Sequence, residues 1–134
     1  MTFTPHLYFD GSCAEAMSFY ADLFGAGDLQ IMRFSDASGE TGLPSSDRVM
    51  HAQFSADGHV LMGSDVPPGT PYQPQASVAI THTAPDADTG QALFDRLAED
   101  GEVTMPFAPS FFAPAFGMVT DRFGTHWMII VMPG

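Results

Sequence analysis

Residues 5 to 10 alternate between faces, Leu7 and Phe9 on one and His6 and Tyr8 on the other, which is the period of a strand. Ser12-Cys-Ala-Glu15 follows with the spacing of a capping box, Ser12 bonding an early backbone amide and Glu15 reaching back to the cap. A helix over 13–24 is therefore predicted. Ala16, Met17, Tyr20, Leu23 and Phe24 form its apolar stripe, and Gly25 is its left-handed stop. Residues 28–35 and 47–55 read as strands separated by the loop Asp36 to Ser46. Asp57-Gly58 then turns the chain tightly into a strand over Val60 to Ser64.

Val66 to Pro74 contains four prolines, which remove backbone donors and fix φ, so neither sheet nor helix continues there. The same order of elements then returns. A strand is predicted near Ala76 to Thr81 and a helix near Asp88 to Asp100, with Leu93, Phe94 and Leu97 on one face and Gly101 as its stop. Strands follow near Glu102 to Phe107, Phe116 to Thr120 and His126 to Met132, the last two hinged at the Asp121-x-x-Gly124 turn. The pattern gives an α+β fold of two βαβββ modules within one domain over 1–134: module one at about 1–66, a linker at 67–74, module two at about 75–134. Each sheet would carry a helix on one face and curve with the other around a cavity suited to a small molecule.

Composition narrows the partners. Four Arg, no Lys and 16 acidic residues give a formal net charge of −12. That charge repels phosphate backbones and anionic membranes, which argues against nucleic-acid and membrane partners. The absence of Lys removes Schiff-base chemistry and the phosphate-loop lysine. No glycine-rich turn follows a strand, so no nucleotide or methyl-donor site is offered. No apolar run is long enough to span a bilayer, and the lone Cys13 fits a reducing, cytoplasmic setting. At the first turn of a helix its thiol pKa could fall; the alternative is a small half-buried residue without chemistry.

His51 is the leading candidate for chemistry. It lies mid-strand beside Gln53, with Met50, Ala52 and Phe54 expected on the other face, and would act as base or hydrogen-bond donor, with Tyr8 as a second catalytic candidate. The competing reading is a structural His bonded to a neighbouring strand or a dimer partner. His6, Tyr8, Met62, Ser64, His126 and Met128 all fall on the concave faces, and their mixture of thioether, aromatic and polar tips suits an adaptable apolar pocket or plain core packing. Trp127 alternates away, beneath a helix. Phe107 to Phe116 forms an aromatic loop that would act as a lid, with Phe112 as a pocket wall, or pack against a second subunit. Asp65, Asp121 and Arg122 read as solvated turn residues.

Phe9-Asp-Gly11, Ala16-Met-Ser-Phe-Tyr20, Phe24-Gly25, Val49-Met-His-Ala52, Leu61-Met-Gly-Ser-Asp65, Gly101-Glu-Val-Thr-Met-Pro106 and Phe116-Gly-Met-Val-Thr-Asp-Arg-Phe-Gly124 together resemble the vicinal oxygen chelate superfamily, the glyoxalase/bleomycin-resistance fold. Within it they are most similar to the PhnB-like branch, whose members often carry a ubiquinone-pathway methyltransferase label. The resemblance implies homodimers or paired modules. It also implies four metal-ligand positions, usually His and Glu, which fall here near Thr4, Met62, Ser77 and Met128; a slip of two would substitute His6 for Thr4. None of those four residues is a good ligand for a hard or borderline divalent ion. The expectation is a metal-free, cofactor-free homodimer binding a small apolar or aromatic molecule, as a sequestration protein or as an enzyme using His51 and Tyr8. Two alternatives stay open: a metal-dependent lyase, isomerase or dioxygenase with ligands from His6, His51 and His126, and a structural dimer with no ligand.

Overall fold

A computed structural model describes residues 2–37 and 45–133. It divides into two compact units, Met1–Pro74 and Gln75–Gly134. The first unit runs β1 (His6–Phe9), α1 (Cys13–Leu23), β2 (Gln30–Arg33), a short 3₁₀ turn (Phe34–Ala37), β3 (Val49–Ala56) and β4 (His59–Asp65). The second runs β5 (Ile80–Ala84), α2 (Ala87–Ala98), β6 (Glu102–Ala108), β7 (Ala115–Thr120) and β8 (His126–Val131). Each unit forms one four-stranded sheet, ordered β1-β4-β3-β2 and β5-β8-β7-β6. In both, the first and last strands pair in parallel and the other pairs are antiparallel. Identical strand order in the two units is the repeat that the sequence pattern predicts.

In the first unit α1 lies across β3 and β4. Its buried stripe is Cys13, Ala16, Met17, Tyr20 and Ala21, and it rests on the sheet face that carries Leu7, Phe9, Ala52, Phe54 and Leu61, all buried. Gly63 permits that approach: a Cβ there would stand 2.9 Å from Met17 Sδ. In the second unit α2 covers β7 and β8. Phe94 from α2 stacks on Phe107 at 5.5 Å between ring centroids, and Gly90 and Gly117 leave room for that pair. Strand alternation then sends the remaining side chains of each sheet to the face without a helix.

Several expectations change in detail. The Ser12 side chain makes no capping bond; the first amide of α1, that of Cys13, is bonded by Asp65 from the end of β4. The strand expected over 28–35 ends at Arg33, because Asp36 Oδ2 accepts the Arg33 amide at 2.7 Å and curls the chain. The long loop after it falls partly, at 38–44, outside the described residues. The strand expected at 76–81 is displaced to Ile80–Ala84, since Ser77 takes a positive φ of 61° that no extended run tolerates. At the end of α2 it is Asp100, at φ 56°, that turns left-handed rather than Gly101. Gly101 is required for a different reason, because a Cβ there would overlap the Thr120 carbonyl oxygen. The Asp57-Gly58 turn has both residues at positive φ, 51° and 80°, as a primed two-residue hairpin requires.

The aromatic loop is shorter than the sequence suggests. Phe107 belongs to β6 and packs on Phe94, and Phe116 belongs to β7 and is buried, so only Phe111 and Phe112 are left at the tip. Asp65 and Asp121, expected as solvated turn residues, are buried at 2% and 4% exposure.

Candidate functional site

The helix-free face of the first sheet gathers five of the sequence-predicted residues. Parallel pairing of β1 with β4 sets His6 opposite Met62 and Tyr8 opposite Ser64, and β3 sets Gln53 opposite Met62. His51 enters beside them. A register shift in the β2–β3 ladder pairs Met32 with His51 but Arg33 with Val49, leaving Met50 as the extra residue of a bulge. That bulge explains why Met50 is half-buried, whereas strict alternation expected it to share the buried face of Ala52 and Phe54.

The hydrogen bonds on this face set the donor nitrogen of two imidazoles. Ser64 is buried and its hydroxyl donates to the Met50 carbonyl at 2.9 Å. A hydroxyl has one hydrogen, so at 2.7 Å from His6 Nε2 the Ser64 oxygen can only accept. His6 therefore carries its proton on Nε2 and, when neutral, leaves Nδ1 as a lone pair. His51 Nε2 lies 2.8 Å from Gln53 Oε1, a carboxamide oxygen that also only accepts, so this nitrogen is the donor there as well. The two rings stand 5.7 Å apart between centroids, and Tyr8 lies 5.0 Å from His6. Partial burial and then the neighbouring His51 charge lower the His6 pKa, so the neutral form holds at neutral pH.

Asp65, paired with Phe9, lies on the opposite, helix-covered side at the end of β4. Its Oδ1 accepts the amides of Gly11 at 2.8 Å and Cys13 at 3.0 Å, and its Oδ2 accepts the Val49 amide at 2.9 Å. One buried carboxylate thus ties together the end of β4, the start of α1 and the start of β3. Arg48 adds a link from β3 to the end of β1, with Nη2 at 2.7 Å from Asp10 Oδ1. Asp65 thus puts a carboxylate, and its negative charge, at the first amide of α1, where an anion would otherwise approach. Cys13, inside the same corner, is fully buried, and burial first and the Asp65 charge second push its thiol up to about 12. The helix start does not activate it.

The second sheet places Met128 opposite Thr81 and Met118 on its helix-free face. Thr81 Oγ1 lies 3.7 Å from Met128 Sδ. His126 is saturated: Nε2 donates to the Gln75 carbonyl at 3.1 Å and Nδ1 accepts from Thr120 Oγ1 at 2.9 Å. It has no ring nitrogen left for a ligand. Phe112 meets Phe116 edge-on at 5.1 Å and Phe111 at 5.2 Å. Trp127 is buried as expected, and its Nε1 donates to Asp121 Oδ2 at 2.8 Å while Asp121 Oδ1 accepts the Phe123 and Thr125 amides. Arg122 stacks over Phe123 at 4.4 Å.

The strand register sets residues other than Thr4 and Ser77 opposite the two methionines. Opposite Met62 stands His6, two residues beyond Thr4, and opposite Met128 stands Thr81, four beyond Ser77. The first unit thus supplies an imidazole and a thioether, the second a hydroxyl and a thioether. Neither pair includes a carboxylate to balance the charge, so neither by itself fits a hard or borderline divalent ion. Among the described residues no three His, Cys, Asp or Glu are grouped to hold one.

The family model described as 3-demethylubiquinone-9 3-methyltransferase matches residues 1–130. Protein YjdN of Escherichia coli (strain K12) is 30% identical over 142 residues, covering 98% of this chain and 96% of YjdN. The crystal structure of protein PA1353 from Pseudomonas aeruginosa superposes with a TM-score of 0.87 at 36% identity, covering 98% of both chains. A PhnB protein from Bacillus cereus gives a TM-score of 0.74 at 26% identity, covering 98% of this chain and 99% of that one. At the level of fold alone, a glyoxalase-related enzyme from Fulvimarina pelagi matches with a TM-score of 0.67 at 18% identity, over 99% of this chain and 88% of its own.

Proposed function

The chain belongs to the 3-demethylubiquinone-9 3-methyltransferase family, the PhnB-like branch of the vicinal oxygen chelate fold, and within it we propose a metal-free protein that binds a small, apolar or aromatic molecule. The observation that carries this reading is the clustering of His6, Tyr8, His51, Met62 and Ser64 on one helix-free sheet face, with both imidazoles held through Nε2 by Ser64 and Gln53. Such a face is built for recognition. Backbone and side-chain partners behind the rings fix their orientation, and the thioether and phenol beside them give an adaptable apolar wall.

His51 and His6 supply the polar contacts in this reading, Tyr8 and Met62 the apolar ones. Within the second unit, described by itself, Met128 and Phe112 are apolar ligand-contact candidates of that unit's own sheet and loop, and His126 acts there as a positioning group because both its nitrogens are engaged. A methyl-transfer role is not proposed. The turn from β1 to α1 holds one glycine, Gly11, and the Asp65 carboxylate accepts the Gly11 and Cys13 amides there. The protein works as a homodimer in the cytoplasm, with Phe111 and Phe112 of the β6–β7 loop covered by the partner copy.

The test is to extract the small molecule that copurifies, identify it by mass spectrometry and titrate it back. Replacing His51 by Ala should weaken it by about 1–3 kcal/mol, the cost of leaving a polar partner unpaired, with circular dichroism unchanged. Equal affinity for the parent and His51→Ala would sink the assignment.

A further inference from the structure

We propose that the His6–His51 face receives an ammonium or amidinium group carried on an apolar body, and that it rejects carboxylates and phosphonates of the same shape. This rests on the binding reading above and narrows its ligand class. Each ring spends its one N–H inside the protein, His6 on Ser64 and His51 on Gln53. A ring in its neutral form then has a lone pair on Nδ1 to offer a ligand, and the two rings stand 5.7 Å apart on one sheet face. A protonated amine has several N–H donors and can serve both; hydrogen bonds of that charge-assisted kind are the strong ones.

The surroundings agree with a cation. Ser64 cannot turn its hydrogen toward a ligand without abandoning the Met50 carbonyl. The Tyr8 ring stands beside His6, and an aromatic face attracts a cation that approaches within about 6 Å. The formal net charge of −12 steers cations toward the molecule and anions away from it. A carboxylate or phosphonate would bring acceptors to acceptors and would need a proton on the rings to bind at all.

The experiment uses the full chain and four probes sharing one benzene ring: benzylamine, benzyl alcohol, benzoate and phenylphosphonate. Long-range proton–nitrogen NMR reads the histidine nitrogens at neutral pH. In the free protein both His6 and His51 should show the Nε2–H tautomer. Benzylamine should then shift both Nδ1 resonances with a Kd about tenfold below that of benzyl alcohol, the effect of one charge-assisted bond, while the two anions leave them unmoved.

His6→Phe should weaken benzylamine by a similar factor. Ser64→Ala, which keeps the ring but releases its tautomer, should weaken it to a smaller extent, so one misfolded variant does not decide the matter. An Nδ1–H tautomer at His6, or tighter binding of either anion at these residues, overturns the inference. Benzyl alcohol binding as well as benzylamine removes the cation preference and leaves the binding reading standing. If no probe moves His6 or His51 at millimolar concentration, both fall.

Discussion

A carboxylate at position 65 binds three backbone amides that lie 16 to 54 residues away in sequence. Removing it in Asp65→Ala would strand those donors in a buried corner at about 1–3 kcal/mol each, so urea denaturation should show a loss of about 3 kcal/mol or more. A loss below about 1 kcal/mol would mean that water replaces the carboxylate. Nothing local in Leu61-Met-Gly-Ser-Asp65 announces this role. An Asp beside a turn usually serves its own turn, and the donors that claim Asp65 become visible only once β1, β3 and α1 are assembled. The His6–Ser64 link is hidden for the same reason, though period-two alternation had already set both residues on one face. His6 also makes stability depend on pH. Its folded pKa lies below the ordinary imidazole value of about 6.5, so below that value the unfolded chain takes up the proton more readily. The stabilisation is present above about 6.5 and is lost as pH falls through the folded pKa; His6→Gln should flatten that fall in denaturation curves measured just below neutrality.

The two helices start by different means, and substitutions should separate them. Asp86 caps α2 directly, accepting the Thr89 amide at 2.8 Å, so Asp86→Ala should cost about 1 kcal/mol. Ser12 makes no such bond at the start of α1, so Ser12→Ala should change stability by less than about 0.5 kcal/mol. Comparable losses in thermal melts of the two variants would restore the capping box. The sequence located both helices to within two residues because stripe, cap and stop agree. It misplaced β5 because Ala76 to Thr81 has strand-like composition while the backbone at Ser77 is left-handed, a conformation composition does not report. It also overextended the aromatic loop. Phe107 and Phe116 occupy strand positions whose burial depends on α2 and on the glycines opposite them.

At the scale of the molecule, the repeated strand order was legible as a repeated order of caps, stripes and turns, whereas the inter-strand register was not. The residues opposite Met62 and Met128 are His6 and Thr81, two beyond Thr4 and four beyond Ser77, because inter-strand pairing is set by the ladder and not by chain distance. The exposed apolar residues bear on assembly. Phe111 is fully exposed and Phe112 half so, and covering each ring is worth roughly 1.5–3 kcal/mol. Ultracentrifugation at micromolar concentration should therefore find a dimer that Phe111→Ser with Phe112→Ser dissociates; a monomeric parent would contradict the interface. The central claim is that this PhnB-like chain binds a small organic molecule without a metal. Native mass spectrometry of protein purified without chelator tests it most directly. The account predicts an organic adduct that is lost in His6→Ala with His51→Ala, and no stoichiometric divalent ion. About one divalent ion per subunit, retained after dialysis, would contradict it.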